Sequence, residues 1–454
     1  MKIGRFIVSD IERKKSEKFL VYDIFSKKFF NIGKNTALVL FRKNEESYEL
    51  YKFLSNKLYK ESYFSEYIIN KENLNMVRIL VTNQCNLNCK YCYANAGSYG
   101  EKCCYMNFNT YSKVCEYLGK KYKSIGEVNF FGGEPTLNVD AIEYICKYFD
   151  KKYKFKTPTF SMVTNGTNLS ERMLYLINKY NIHIIISLDS TNRNINDSNR
   201  KFKDGSGTFD VIDKNIIKLQ KNTSNKIVIE STYTEEHVKN NVSYTDIMLE
   251  NYKRYKIKLN IIQNENGNDR LIKLIKGSSI DNSLNRDIDV FIKYGISNSR
   301  LLSFLNSIYA TFYSGYFCDA FLGQIAIDPY GSIYPCQMFI ASNIDNSLKN
   351  FKVGDVFNGD INSEFIINYI EKNNKKNLRL CKNCFIKPTC KQCMFDKYVN
   401  SSIKNSCKYN FNNYYESLNY FINLISDEKV EKCIRRNINE LSNVYFQFTR
   451  WCIF

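Results

Sequence analysis

Histidine, proline and tryptophan are scarce in this 454-residue chain, which has two His, five Pro and one Trp. The two His, His183 and His237, are too few for a His-rich metal site and give a Ser–His–Asp hydrolase little to build on. Five Pro exclude long proline-rich linkers. No GxSxG, Walker A or GxGxxG pattern occurs, which removes the nucleophile elbow, the P-loop and the dinucleotide-binding turn. No apolar run approaches about 18 residues, so no membrane-spanning helix and no membrane partner are expected. The opening MKIGRFIVSDIERKKSEKF carries charges throughout and no apolar h-region, so no signal peptide is expected and the location is expected to be cytoplasmic.

Lys and Arg number 65 against 46 Asp and Glu, a net charge of +19. The basic residues are scattered, with no run of five or six, so the charge reads as solvated faces and no nucleic-acid partner is expected. Hydrophobic residues make up 44% and charged residues 24%, ordinary globular usage. At roughly 150 residues per domain the length suggests about three domains. The sixteen Cys are the informative excess. In a reducing cytosol disulfides are disfavoured, so clustered Cys point to metal or redox chemistry.

Residues 1–72 read as a small separate unit. FLVYDIFSKKFFNI (19–32) predicts two short strands around Ser26–Lys28, and helical spacing follows over 35–42 and 47–58. From about residue 73 short apolar runs alternate with amphipathic segments. The runs are 77–82, 128–133, 159–166, 182–189, 226–234 and 257–263, with helical stretches such as 110–122 and 170–180 between them. Six strands alternating with helices predict a parallel α/β sheet, open or closed into a barrel, with its site at the C-terminal strand ends. The unit is taken as 73–275. A bridging segment, 276–317, leads to a Cys-rich region, 318–412, and a tail, 413–454, read as helix to about Asn439.

The first run ends at QCNLNCKYCYA, which sets Cys85, Cys89 and Cys92 at CxxxCxxC spacing. A structural zinc site takes four ligands and lacks one here. Soft thiolates also suit iron–sulfur clusters, and a cube held by three leaves one iron open. The next strand ends carry Gly132-Gly133-Glu134, where two glycines permit close backbone approach and Glu134 can accept from an ammonium group. Thr164-Asn165-Gly166 offers polar contacts for a ribose. Ser187 and Asp189 follow the fourth run, and Arg200 beyond them can pair with a carboxylate. Tyr91 sits between two thiolates.

CNLNCKYCYA followed by FFGGEP, TNG and SLDSTNRNINDSNRKFKDGSGTF resembles the radical S-adenosylmethionine (SAM) superfamily over Val77 to about Ile217. The resemblance implies a partial (β/α)6 barrel. It implies a [4Fe-4S] cluster on Cys85, Cys89 and Cys92 that binds SAM at its open iron, with Tyr91, Gly132, Gly133, Glu134, Thr164, Asn165, Ser187, Asp189 and Arg200 around the cofactor. It also implies that one-electron reduction yields a 5′-deoxyadenosyl radical that abstracts hydrogen from substrate, the protein supplying orientation and shielding.

The second region holds Cys318, Cys336, Cys381, Cys384, Cys390, Cys393 and Cys407. It resembles a SPASM domain, which binds two auxiliary [4Fe-4S] clusters, although Cys390 and Cys393 form CxxC where that family has CxxxC. The resemblance implies one cluster on Cys381, Cys384, Cys390 and Cys407. The other falls to Cys318, Cys336 and Cys393, with the fourth position open or taken by Cys433, Cys452 or a substrate thiolate. A zinc ribbon uses the same Cys pairs. Cys115 and Cys146 read as small core residues, Cys103 and Cys104 as a loop near the site, His183 as a buried strand residue and His237 as surface or loop.

The N-terminal unit resembles the winged-helix-like element that binds leader peptides of ribosomally made natural products by adding a strand to a sheet edge. The 85–217 stretch resembles maturases of Cys-rich peptides. Together they imply a thioether-forming peptide maturase whose partners are a precursor peptide with its leader and a reduced flavodoxin or ferredoxin as electron donor. Carbon–carbon crosslinking or epimerisation of a peptide is an alternative. Anaerobic sulfatase maturases carry Asp where this chain has Gln337. A zinc-binding basic nucleic-acid protein is the alternative of a different class, and it leaves GGEP unexplained.

Overall fold

Short aromatic-rich runs open the chain. In the computed structural model they form four strands, Lys2–Ile3 (β1), Phe6–Val8 (β2), Lys18–Asp23 (β3) and Lys28–Gly33 (β4), in one antiparallel sheet of order β1-β2-β3-β4. The structure describes residues 2–3, 6–9, 18–24, 26, 28–42, 45–59, 72–154, 156–265, 269–309, 315–340, 351–359, 363–381, 384, 390, 393–395 and 403–451. The β3–β4 hairpin is the predicted one, with Phe19 opposite Ile32 and Tyr22 opposite Phe29. Helices Lys34–Phe41 (α1) and Glu45–Tyr59 (α2) follow where helical spacing predicts them. Phe6, Val8, Phe19, Val21, Ile32, Ala37 and Leu40 are buried together as a small core.

The parallel strands are Asn73–Thr82 (β5), Ser124–Gly132 (β6), Thr159–Thr164 (β7), His183–Ser187 (β8), Ile227–Tyr233 (β9) and Leu259–Asn264 (β10). Each lies beside its predecessor, the order that short right-handed crossovers produce. The crossovers are Phe108–Lys121 (α3), Val139–Lys152 (α4), Glu171–Lys179 (α5), Arg193–Asn199 with Phe209–Asn222 (α6, α7), and Glu235–Lys239 with Tyr244–Tyr255 (α8, α9). Side chains of Asn107, Asn138 and Ser170 cap α3, α4 and α5, satisfying backbone N–H groups the helix leaves free.

After Asp269–Gly277 (α10), Leu284–Tyr294 (α11), Ser297–Asn298 (β11) and Ser299–Tyr309 (α12), the chain returns as Gln324–Ile327 (β12) parallel to β5. Ser332–Tyr334 (β13) and, past Gln337–Ile340 (α13), Gly354–Asp355 (β14) extend that edge antiparallel. Ser363–Asn373 (α14), Ile403–Ile425 (α15) and Glu428–Trp451 (α16) complete the chain. The described residues of 265–317 thus hold the helices α10, α11 and α12. The tail is two helices reaching past Asn439, parted at Ser426–Asp427. There Asp427 Oδ1 accepts from Lys429 N and the Ser426 hydroxyl donates to Asn423 O, the side-chain competition that ends helices. No helix among the described residues is long and apolar enough to cross a membrane.

Contacts divide the chain into two units. One joins Ile69–Asn282 to Asp319–Glu371, and the other joins Met1–Ile68 to Ser283–Cys318 and Lys372–Phe454. Within the latter, α15 packs on β2 and β3 and the Tyr22 hydroxyl donates to Ile308 O at 3.3 Å.

In the sheet unit, strand alternation separates two environments. Val77, Ile79, Val128, Phe130, Phe160, Met162, Ile184 and Ile227 face the helices in one buried core. Among the alternate positions runs a polar row. Arg78 Nε donates to Asn129 Oδ1 at 2.7 Å, Asn129 Nδ2 to Ser161 Oγ at 2.8 Å, and Ser161 Oγ to Glu127 at 2.5 Å. That row crosses β5, β6 and β7 beneath the strand ends and satisfies its buried groups internally. We expect Phe130→Ala to cost about 3–5 kcal/mol in urea unfolding. Ile217→Ala, on an exposed position of α7, should change it by no more than about 0.5 kcal/mol.

Candidate active site

The cysteine loop leaves β5 at Thr82 and places Cys85, Cys89 and Cys92 as half-buried free thiols. Backbone holds it from both sides. On one side Gly133 N donates to Thr82 O at 2.9 Å and Glu134 N to Gln84 O at 2.8 Å. A Cβ on Gly132, whose φ is +145°, would meet Thr82 O at 2.1 Å, and one on Gly133 would meet Gln84 O at 2.1 Å. The paired glycines therefore serve close backbone approach, as predicted, and the partner they approach is the cysteine loop itself. On the other side Asn88 N donates to Lys201 O at 2.8 Å and Lys90 N to Asn199 O at 2.9 Å, with Leu87 bridged to Phe202.

Glu134 is fully buried and already engaged. Its Oε1 accepts from Thr136 N (3.1 Å), Thr136 Oγ1 (2.6 Å) and Thr164 Oγ1 (2.6 Å), and its Oε2 from Asn165 N (2.7 Å). Burial pushes its pKa up and the four donors oppose that rise. A carboxylate offers about four acceptor sites, so the side chain ties the ends of β6 and β7 together. Asn165 Nδ2 donates to Asn86 Oδ1 at 2.8 Å and lies 3.8 Å from Cys85 Sγ, carrying the TNG turn onto the cysteine loop.

Half-buried Tyr91 and buried Asp189 and Arg200 form one group. The Tyr91 hydroxyl donates to both Asp189 oxygens at 2.9 and 2.8 Å and accepts from Arg200 Nη1 at 2.8 Å. Thr232 N donates to Asp189 Oδ1 at 3.1 Å, and Arg200 Nη1 lies 3.9 Å from the same oxygen. Burial pushes Tyr91 well above the ordinary phenol value, which keeps it a donor. Burial also raises Asp189, against the opposing pull of Arg200. Ser187 closes β8 half-buried.

His237 corrects the sequence reading. It is fully buried, not a surface residue. Its Nδ1 accepts from Thr234 N at 3.1 Å in a capping box, which leaves the proton on Nε2 to donate to Asp189 O at 3.0 Å. His183 opens β8 half-buried. Cys115 and Cys146 are in the core as predicted. Cys103 is exposed and Cys104 half-buried in the loop that Asn83 ties down, with Nδ2 donating to Lys102 O at 2.9 Å and Oδ1 accepting from Cys104 N at 2.5 Å. Asn83 and Asn86 flank Cys85 in the sequence without a spacing signal of their own, and only the fold brings His237 to Asp189.

Burial pushes the Cys85 thiol up to about 12 and raises Cys89, which Arg200 opposes. Among the described residues no three His, Cys, Asp or Glu side chains are gathered closely enough to form a metal site as they stand. The fit to an iron–sulfur cluster comes from the donor set: three free thiols on one loop, which a cationic metal core would favour as thiolates. The backbone cradle at Gly132–Gly133 and a buried Arg200 Nε without a partner among the described residues stand beside them.

The second cysteine set is divided between the two units. Cys336 follows β13 half-buried in the sheet unit. Cys318, Cys381, Cys384 and Cys390 are half-buried and Cys393 exposed in the other, where Cys384 N donates to Cys381 O at 3.3 Å. The Cys407 side chain and Cys452 lie outside the described residues. The Cys433 thiol donates to Ile292 O at 3.4 Å.

The profile of the radical SAM superfamily matches residues 79–244, and that of the SPASM iron–sulfur cluster-binding domain matches residues 318–385. The radical SAM cyclopropyl synthase TigE of Paramaledivibacter caminithermalis is 27% identical over 292 residues, 59% of this chain and 58% of that protein. The chain therefore spans little more than half of that relative. The structure of anSMEcpe with bound AdoMet and Cp18Cys peptide is 19% identical, covers 82% of this chain and 99% of its own, and superposes with a TM-score of 0.58. Streptococcus suis SuiB bound to precursor peptide SuiA is 14% identical, covers 88% and 96%, and gives 0.51. At these identities the two structures speak for the fold.

Two outcomes test the site's construction. Gly133→Ala should cost about 1–3 kcal/mol in urea unfolding, because neither backbone has room for the methyl group. Burial holds His237 below 6.5 in the folded chain. The stability it contributes is therefore present above that pH and is lost as pH falls through the folded value. The wild-type urea midpoint should fall below pH 6.5, and His237→Gln should fall less over the same range.

Proposed function

We propose, from the premise that this chain belongs to the radical SAM superfamily and carries a SPASM domain, that it modifies a ribosomally made Cys-rich precursor peptide by forming a thioether crosslink. The observation that carries the reading is the three-thiol loop joined by its backbone to the GGE strand end and by the Asn165 side chain to the TNG strand end. Cys85, Cys89 and Cys92 would hold the [4Fe-4S] cluster that binds SAM. Gly132, Gly133, Thr164, Asn165, Ser187, Asp189 and Arg200 would lie around SAM, and Tyr91 beside it. When bound, these groups supply a 5′-deoxyadenosyl radical that takes a hydrogen atom from the peptide. Cys381, Cys384, Cys390 and Cys407 would hold one auxiliary cluster, and Cys318, Cys336 and Cys393 the other.

Peptide as substrate is supported by the fold shared with a peptide-bound and a precursor-bound enzyme. Residues 1–72 are the candidate leader-binding element, offering an antiparallel sheet for strand addition. A reduced flavodoxin or ferredoxin is the electron donor in this reading, and the location is cytoplasmic. Gln337, which follows Cys336, leaves no carboxylate where sulfatase maturases place Asp, so thioether formation ranks above their oxidation. Similarity to a cyclopropyl synthase favours carbon–carbon bond formation as the second reading.

Ala at Cys85, Cys89 and Cys92 should abolish 5′-deoxyadenosine release, read by chromatography; retained release would overturn the radical site. Ala at Cys381, Cys384 and Cys390 should leave that release but stop peptide modification. The modified peptide should lose two hydrogens and one alkylatable thiol per crosslink. A loss of two hydrogens with every thiol still alkylatable would move the reading to carbon–carbon bonds. A precursor without its leader should bind the full chain more than ten-fold more weakly; equal affinity would remove the recognition element.

A further inference from the structure

We propose that Arg200 is a redox-positioning residue: held by Tyr91 and Asp189, its guanidinium stands opposite Cys89 and stabilises the extra electron that the three-thiolate cluster takes up on reduction. The bridge between Leu87 and Phe202, and the bonds Asn88 N to Lys201 O and Lys90 N to Asn199 O, fix an antiparallel register. In that register Cys89 faces Arg200 directly, and directly opposed residues in such a pair extend to the same side. The segment after α6 is thus a clamp on the cysteine loop, and the residue it presents at the middle thiol is a cation.

The guanidinium is fixed before any ligand arrives. Its side chain is 6% exposed and that of Asp189 is fully buried. Nη1 is bonded to Tyr91, whose hydroxyl is committed to Asp189. Asp189 is held in turn by Thr232 N and, through its own carbonyl, by His237. Asp189 stands 3.9 Å from the buried cation, and Tyr91 links the two. Arg200 Nε has no partner among the described residues. A buried, charged donor left unmade is costly unless an anion occupies the space beside it.

Reduction adds one electron from the external donor and makes the cluster one unit more negative; Arg200 forms no bond in the step and exchanges no proton. A fixed cation at short range in a low-dielectric site lowers the free energy of the more negative state. Net charge and hydrogen bonds near the sulfurs set such potentials. The inference rests on the cluster being present, not on the identity of the peptide.

The test uses the full chain with its clusters reconstituted anaerobically, as wild type, Arg200→Lys, Arg200→Gln and Tyr91→Phe. Each is titrated with a chemical reductant, and the paramagnetic signal that responds to added SAM is followed, which separates this cluster from the auxiliary ones. For Arg200→Gln we expect unchanged iron content and a reduced-to-oxidised ratio about ten-fold lower at a fixed potential, which is about 59 mV for one electron. Arg200→Lys should fall between, and Tyr91→Phe should shift in the same direction because it frees the guanidinium. An unchanged ratio in Arg200→Gln with weakened SAM binding would overturn the proposal and assign Arg200 to the SAM carboxylate. If Arg200→Gln fails to hold iron, Tyr91→Phe decides: a ratio equal to wild type there also overturns it.

Discussion

Two carbonyl oxygens, those of Thr82 and Gln84, receive the N–H groups of Gly133 and Glu134 with no room for a side chain between the chains. Every other feature of the site is referred to that junction. It sets where the cysteine loop leaves β5 and how far it stands from the end of β6. It also explains why the loop begins and ends in tight packing, since a Cβ on Gly97 would lie 2.7 Å from Gly133 Cα. Backbone contact is a suitable device here. It costs no side-chain entropy and fixes the loop whatever the surrounding side chains do. The clamp from residues 199–202 then closes the other side, so a loop bearing three free thiols is ordered by its main chain.

The side chains that look functional in the sequence divide into two kinds once the loop is fixed. Glu134 and Asn165 join strand ends, with their polar atoms taken up by neighbouring threonines, amides and Asn86. Tyr91, Asp189 and Arg200 form a compact charged group whose burial is balanced internally. Both kinds follow from the same constraint. Away from the helices the sheet carries the polar Arg78–Asn129–Ser161–Glu127 row and polar strand ends, and each buried polar group there needs partners. The result is a surround whose polar groups are already partnered with one another, the kind of fixed setting that orients a cofactor.

Local spacing made much of this readable from sequence. CxxxCxxC, two adjacent glycines and the TNG turn are short-range patterns, and all three fall at the C-terminal ends of β5, β6 and β7. The six apolar runs became six parallel strands because each has the length and composition of one strand. What spacing could not carry was pairing at long range. His237 sits three residues into a short helix, in a segment whose pattern resembles an exposed turn; only its contact with Asp189, 48 residues earlier, buries it. The donors to Glu134 come from its own turn and from the end of β7, and the β7 pair shows in no local window. The N-terminal sheet read as an independent unit, yet α12 and α15, which cover it, lie about 280 to 400 residues further along. Nothing in a local window signals such a partnership.

The central claim is that Cys85, Cys89 and Cys92 hold an iron–sulfur cluster of their own, distinct from the clusters of the SPASM region. Iron, sulfide and zinc per chain, measured after anaerobic reconstitution of the wild type and of the variant with Ala at those three positions, address it directly. The account expects about twelve irons in the wild type, three clusters of four, and about four fewer in the variant, with matching sulfide and no zinc. Equal iron in the two proteins, or zinc in place of iron, would contradict it.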